Sequence, residues 1–303
     1  MKMLILNNVA AGFANTDIFD FIRSVARADD EIVLRTLDTH SNFADAVVDC
    51  KCFDCLVIAG GDGTHSSLCY LTRYSGVPTL LYPSGTANLM TMNLESPEEP
   101  PALASMVHSA RTLDFDLGQI LVANRSLGFM MIAGCGYDAT IMREAQQDKQ
   151  RLGPIAYFKA AFENAEPQQS HFKLTIDGNT VEEDGVGVLF LNFSKIQFDI
   201  RLGKENRPRD GMLDVLILAT HNAWELLPPA LGLAIDKSGA IFDQSNLFKV
   251  YRGKRIEVEA DPPLKLQFDG EPSEYTTPFV AEVLPGATKL YVCDDGYNQF
   301  YES

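Results

Sequence analysis

Residues 60–64 read Gly-Gly-Asp-Gly-Thr and follow the apolar run Cys55-Leu56-Val57-Ile58-Ala59. An unbroken apolar run closed by glycines has the pattern of a strand buried on both faces. Gly60, Gly61 and Gly63 carry no Cβ, so backbone there can approach a bulky anion closely. If a helix then runs over Thr64–Tyr74, its unpaired amides and the positive end of its dipole serve the same anion, and the chemistry is phosphate binding. Asp62 would repel a bare phosphate, but it suits a divalent cation accompanying one, held directly or through water. Thr64 can cap the helix and donate its hydroxyl to phosphate. For this segment alone a plain glycine-rich turn is the competing reading. Roughly 25 residues on, Pro83-Ser84-Gly85-Thr86-Ala87-Asn88 follows a second apolar run, Pro78-Thr79-Leu80-Leu81-Tyr82. Turns at successive strand ends share one edge of a parallel sheet, so both can face a single phosphate-bearing ligand. Neither is a Walker loop or a spaced G-x-G-x-x-G fingerprint.

Other reactive side chains carry weaker signals. Asp210-Gly211 and Asp269-Gly270, taken as dipeptides, read as turns, because Asp-Gly is a favoured turn pair. Cys50, Cys52 and Cys55 are close in sequence but lack a second Cys or His pair at zinc-site spacing. The bland reading puts Cys55 at the start of a buried strand and the other two at a helix end. The histidines at 40, 65, 108, 171 and 221 form no i, i+4 pair. His65 reads as a surface histidine at a helix start. Ser66 and Ser84 lack a nucleophile-elbow context. Trp224 with Leu226, Leu227 and Leu231 could form a membrane-facing patch, though such helical spacing more often means core packing. The Glu95–Glu99 stretch reads as a solvated acidic loop. Lys249, Arg252, Lys254 and Arg255 offer a local basic surface, or equally a solvated strand edge.

These residues need a frame, and the first third of the chain supplies one by alternating strand and helix. Met3–Leu6 is a short apolar run. Asn15 or Thr16 can cap a helix that carries Ile18, Phe21, Ile22 and Val25 on one face. Glu31–Leu37 reads as a strand and Asn42–Cys50 as a helix. Such alternation implies a parallel sheet covered by helices. Near residue 120 the rhythm changes. Helical patterns at Tyr137–Lys149 and Pro154–Asn164 precede strand-like runs at Phe172–Ile176, Val186–Phe193, Leu213–Leu218, Arg255–Ala260, Leu264–Phe268 and Phe279–Leu284. A helix over Ala223–Ile235, broken at Pro228-Pro229, interrupts them. The second part therefore reads as antiparallel β, with Asp177-Gly178-Asn179 as a hairpin turn. We expect an α/β domain over 1–120 and a β domain over 121–289, with the tail from about 290 returning to the first.

A chain of 303 residues fits roughly two domains. Its 25 basic and 41 acidic side chains give a net charge of −16, a poor match to duplex nucleic acid, whose phosphates call for surplus Lys and Arg. At 46% hydrophobic and 22% charged residues it is too apolar for a disordered chain. The N-terminal apolar run is too short for a signal-peptide core, no stretch reaches a membrane span, and cysteines are sparse. The expectation is a cytoplasmic protein.

Taken together, Gly60–Thr64, Pro83–Asn88, Asp116-Leu117-Gly118, Gly134-Cys135-Gly136-Tyr137-Asp138-Ala139, Asp210-Gly211-Met212-Leu213-Asp214 and Asp269-Gly270-Glu271 resemble the diacylglycerol-kinase catalytic family, which includes sphingosine kinases and soluble bacterial lipid kinases. The resemblance spans nearly the whole chain. It implies an α/β nucleotide domain joined to a β-sandwich, with the active site in the cleft between them. By position it assigns Gly60, Gly61, Asp62, Gly63, Thr64, Gly85, Thr86 and Asn88 to ATP-phosphate turns and Thr39 to a weaker nucleotide contact. Asp269 matches the family's catalytic base, with Glu271 beside it. Asp116 matches an acidic residue of the network that reaches the catalytic magnesium, and Asp62 is the turn carboxylate suited to the accompanying cation. Asp210, with main-chain carbonyls near Arg207 and Met212, matches a divalent-cation site of bacterial members. The implied partners are ATP, Mg2+ and a hydroxyl lipid such as a diacylglycerol or sphingoid base, met in transient contact with a membrane surface.

Departures from the family pattern are local. The opening loop, Asn7-Asn8-Val9-Ala10-Ala11-Gly12, lacks the usual proline. His65-Ser66-Ser67 replaces the usual Asn-Glu, and Leu89 stands where an aspartate is usual. The segment before Asp210 is basic, with Lys204, Arg207 and Arg209. Two other functions stay open at this point: a NAD-kinase-like phosphotransferase, which shares Gly-Gly-Asp-Gly-Thr, and a nucleotide-binding module without turnover.

Overall fold

A computed structural model describes residues 1–11, 17–136, 168–193, 195–196, 200–201, 207–220, 248–269 and 271–301. The expected helices over 137–149, 154–164 and 223–235, the caps at 15 and 16, and Lys204 lie outside them. The chain divides into two compact units, one of Met1–Leu117, Pro208–Asp210 and Pro285–Ser303, the other of Gly118–Arg207 and Gly211–Leu284.

In the first unit, strands β1 (Lys2–Asn8), β2 (Glu31–Leu37), β3 (Cys55–Gly60) and β4 (Thr79–Pro83) form a parallel sheet in the order β2-β1-β3-β4. All six residues of β3 are buried, as expected for a central parallel strand with both faces covered. Helix α1 (Asp17–Val25) turns Ile18, Phe21 and Val25 toward the sheet, an i, i+3, i+7 stripe. Each such side chain stabilises the unit by about 1.5–3 kcal/mol on burial. Asp17 and Asp20 in its first turn and Arg23 in its last suit the helix dipole. The expected helix over 42–50 shrinks to α2 (Phe43–Ala46), capped by Asn42, followed by a 3-10 turn at Cys50–Cys52. Helix α3 (Asp62–Leu71) follows β3, and α4 (Leu89–Asn93) and α5 (Pro100–Ser109) follow β4. The acidic stretch 95–99 leads directly into α5, whose start Pro100 favours because proline fits a first helical turn.

Strand β5 (Thr112–Val122), which the sequence pattern did not reveal, carries the chain into the second unit. There it pairs with β6 (Arg125–Phe129). After β7 (Ile132–Gly136) come the hairpin β8 (Ser170–Ile176) and β9 (Asn179–Gly185), then β10 (Gly187–Leu191) and the short pair β11 (Lys195–Ile196) and β12 (Ile200–Arg201). Strands β13 (Leu213–Leu218), β14 (Phe248–Gly253), β15 (Arg255–Asp261), β16 (Lys265–Phe268), β17 (Glu271–Thr276) and β18 (Phe279–Tyr291) complete it. One antiparallel sheet runs β14-β13-β10-β7-β16-β17, and β18, β15, β8 and β9 pair side by side in another. Alternate residues of both sheets, including Phe172, Leu174, Phe190, Val215, Ile256 and Phe279, form one apolar core, the packing of a β-sandwich. The expected basic surface is partly neutralised. Arg252 pairs with Asp214, and Arg255 with Glu257 and Glu282.

Beyond Leu284, β18 continues into the first unit, where Leu290 pairs parallel with Thr79. Helix α6 (Asp294–Phe300) closes that unit, with Phe300 buried against Phe115.

Candidate active site

The carboxyl ends of β1, β3 and β4 gather the first group of residues. Gly60 ends β3, and Gly61 stands at the N-cap of α3 in an extended conformation. The helix thus begins at Asp62, two residues earlier than expected, and Thr64 lies inside its first turn rather than capping it. The first intrahelical bond runs from the His65 N–H to the Gly61 carbonyl. The amides of Asp62, Gly63 and Thr64 therefore have no partner within the helix and point out of its N-terminus. Thr64 is buried, and its Oγ1 accepts a 2.8 Å bond from Nδ2 of Asn8 at the end of β1. The Asn8 Oδ1 accepts the Ala10 amide. Asn8 thereby ties the first loop to the glycine turn, a role no sequence signal announced.

The two glycine turns touch. A Cβ on Gly85 would lie 2.5 Å from the Gly61 Cα, and one on Gly60 would lie 2.5 Å from the Thr64 Cβ. Glycine at 85 is therefore a demand of backbone approach. The Ser84 amide donates to the Gly60 carbonyl, and the Gly85 amide to Asn88 Oδ1 at 2.8 Å. Asn88 stands at the N-cap of α4 in the left-handed region, φ 50°, and its side chain caps nothing. Asp62 supplies that cap instead: its Oδ1 accepts the Met90 amide at 2.9 Å. Leu89 is the first residue of α4, half-buried beside this cap. Thr86 is exposed in the turn, and Thr39 is exposed in the turn after β2.

His65 is not on the surface. It is fully buried, and Nε2 lies 3.1 Å from the Ile58 carbonyl oxygen and 3.2 Å from that of Tyr82. Burial holds its pKa below the ordinary imidazole value, outweighing the opposite pull of the Asp62 charge.

Asp116, also in the first unit, is a buried carboxylate on β5 that accepts the Gly286 amide at 2.8 Å. Its own amide donates to the Pro208 carbonyl at 2.8 Å. Arg209 adds a bond from Nε to the Asp114 carbonyl at 2.7 Å and another from Nη1 to the Phe300 carbonyl. Asp210 follows, half-buried, and Gly211 takes φ 70° in the turn before β13. Arg207 is exposed and Met212 half-buried.

In the second unit, Asp269 follows the end of β16, and Phe268 pairs with Glu271 at the start of β17. Asp269 takes φ 45°, and its amide donates to the Ile132 carbonyl. Its carboxylate accepts three backbone amides at 2.9 Å: Met131 and Ile132 on Oδ1 and Met130 on Oδ2. Asn192 braces the same segment by donating Nδ2 to the Met130 carbonyl. The Asp269 side chain is thus held in one orientation. The Glu271 side chain lies outside the described residues. Among those residues no cluster of three or more His, Cys, Asp or Glu side chains suits a metal ion.

Residues 2–120 match the diacylglycerol kinase catalytic domain, and residues 131–292 match the YegS C-terminal NAD kinase beta sandwich-like domain. A protein of Alcanivorax borkumensis named "Probable lipid kinase YegS-like" is 28% identical over 249 residues, 79% of each chain. The Synechocystis protein sll0036 is 26% identical over 243 residues, 78% of this chain but 54% of its own length. The fold also matches the crystal structure of a diacylglycerol kinase from Bacillus anthracis, with a TM-score of 0.73, 19% identity and 97% of each chain covered.

Proposed function

The chain belongs to the diacylglycerol kinase catalytic domain family, with the YegS-type sandwich as its second half, and on that premise we propose that it is an ATP-dependent lipid kinase. The observation that carries this reading is the pair of interlocked turns. Three outward amides of α3 and the bare backbone of Gly61 and Gly85 offer a triphosphate a donor-rich, side-chain-free surface. Thr86, exposed in the second turn, would add a hydroxyl, and Thr39, the weaker candidate, would add a nucleotide contact.

A hard cation prefers oxygen, so the carboxylates of Asp62 and Asp116 would serve the catalytic magnesium and that of Asp210 a separate divalent cation. Asp62 would contribute the oxygen not engaged by Met90, and Asp210 would act with the carbonyls of Arg207 and Met212. When bound, the magnesium offsets charge on the phosphates. The protein's own work is positioning and proton removal. The three amides on Asp269 fix the orientation of its carboxylate. In the proposed reaction it takes the proton of a lipid hydroxyl as that oxygen bonds to the γ-phosphorus, while the bond to the bridging oxygen breaks and ADP leaves. Glu271 would assist next to it. A lipid acceptor would be met in transient contact with the bilayer surface; no helix among the described residues is long and apolar enough to cross a membrane.

The test is transfer of labelled phosphate from ATP, with magnesium, to diacylglycerols, sphingoid bases and a total lipid extract, with NAD as a parallel acceptor. Label in a hydroxyl lipid is the expected result. Label in NAD instead would move the chain to NAD-kinase chemistry. ATP binding with no transfer to any acceptor would favour a module without turnover, the reading that Leu89 at the start of α4 supports.

A further inference from the structure

We propose that His65 is a positioning residue that sets the spacing of the two phosphate-binding turns, an inference that rests on the nucleotide reading given above. Both Nε2 contacts are to carbonyl oxygens, which only accept. Nε2 therefore carries the hydrogen and shares it between them, and Nδ1 is the unprotonated nitrogen. Burial favours this neutral form. The two carbonyls are not arbitrary. Ile58 lies two residues before Gly60 on β3, and Tyr82 lies one residue before Pro83 on β4, so each precedes one of the turns. A single imidazole beneath the first turn of α3 thus staples the two strand ends from which the turns spring.

The turns have little freedom of their own. The Gly61–Gly85 approach is already at backbone contact, and the Ser84–Gly60 bond closes the pair from the other side. A shift of β4 against β3 would open or crush this contact and move the amides that face the phosphates. Two further polar atoms lie in the same buried first turn without a partner among the described residues: Nδ1 of His65 and Oγ of Ser66. Unsatisfied buried acceptors are costly, and an enclosed water commonly answers them. An apolar residue at 65 would avoid that cost but would also remove the Nε2 bonds to both strand ends.

The test compares His65→Gln, whose amide nitrogen can occupy the place of Nε2, with His65→Leu and His65→Asn, which cannot bridge both carbonyls. In folded protein, ATP affinity measured by calorimetry should fall roughly tenfold in the Leu and Asn variants and stay within roughly threefold of the parent in the Gln variant. The change should appear in KM for ATP with kcat at saturating ATP little altered. Imidazole nitrogen spectra should show the Nε2–H tautomer in the parent. If His65→Leu does not fold, the Gln–Asn contrast decides. Equal ATP affinity in those two variants, or parental affinity in folded His65→Leu, overturns the proposal. Should the parent itself fail to bind ATP, the nucleotide reading falls instead. The staple is then judged by hydrogen exchange over residues 82–88, where faster exchange in the Asn variant than in the Gln variant supports it and equal exchange defeats it.

Discussion

Asp177 and Asp269 open Asp-Gly turns between adjacent antiparallel strands, both with positive φ and both with a carboxylate bound to backbone amides of another segment. Asp177 accepts from Lys254 and Arg255, and Asp269 from Met130, Met131 and Ile132. A dipeptide in sequence does not reveal which carboxylate also does chemistry, which is why both aspartates read as turn residues until the wider motif order is considered. The pair makes its own control. Asp269→Asn and Asp177→Asn each set an NH2 group or a weaker acceptor against amide donors, and each should lower stability by about 1–3 kcal/mol in denaturant titrations. Only Asp269→Asn should also lower turnover by orders of magnitude while ATP affinity holds. Equal turnover in the two variants, once corrected for folded fraction, would reduce Asp269 to a hairpin anchor. Gly85→Ala makes a second point at this scale. Its methyl would need the space of the Gly61 Cα, so it should cost about 1–3 kcal/mol and weaken ATP binding, both readable by thermal unfolding with and without nucleotide.

Among elements, α4 separates what capping needs from what charge supplies. Its N-cap residue Asn88 turns its side chain to Gly85, so Asp62 from the preceding turn satisfies Met90. Asp62→Asn keeps an oxygen for that amide and removes the charge, whereas Asp62→Ala removes both. The Ala variant should lose about 1 kcal/mol of stability in chemical unfolding and the Asn variant little. Both should require more magnesium for half-maximal transfer, which dependence on metal concentration would show. If the Asn variant has the parent's magnesium dependence, Asp62 is a cap alone. The elements themselves were legible where burial is simple. β3 is buried along its whole length and α1 on one face, and both stood out as apolar runs or stripes. The failures have physical causes. Over Thr112–Val122 the acid–apolar alternation covers only Leu113–Leu117, and Asp116, on its polar side, is buried against the Gly286 amide, so burial along the strand departs from the pattern. The pattern over 42–50 continued past a helix that ends at Ala46. His65 looked like a helix-start surface residue because nothing in local sequence shows that the first turn of α3 lies beneath two strand ends.

For the molecule as a whole, 41 acidic side chains stand against 25 basic ones, and a protonated histidine can offset part of that excess where acids gather. His171 on β8 is paired in register with Asp184 of β9 on one side and Asp261 of β15 on the other. Its Nδ1 lies 2.8 Å from Asp184, and Nε2 lies 3.8 Å from Glu182. The hydrogen bond to Asp184, helped by the charges of Asp184, Glu182 and Asp261, raises its pKa above the ordinary 6.5. Between the two values the folded protein holds this proton more firmly than the unfolded chain does, so folding is favoured there. The stabilisation is complete below pH 6.5 and disappears as pH rises through the folded value. The side chain is solvent-exposed and salt screens the interaction, so the effect is small and largest at low ionic strength. His171→Gln, which cannot take up a proton, should therefore unfold at a lower temperature than the parent in mildly acidic buffer and at the same temperature in alkaline buffer. Added salt should narrow the acidic difference. A gap of equal size at both pH values would mean that His171 contributes by packing rather than by charge.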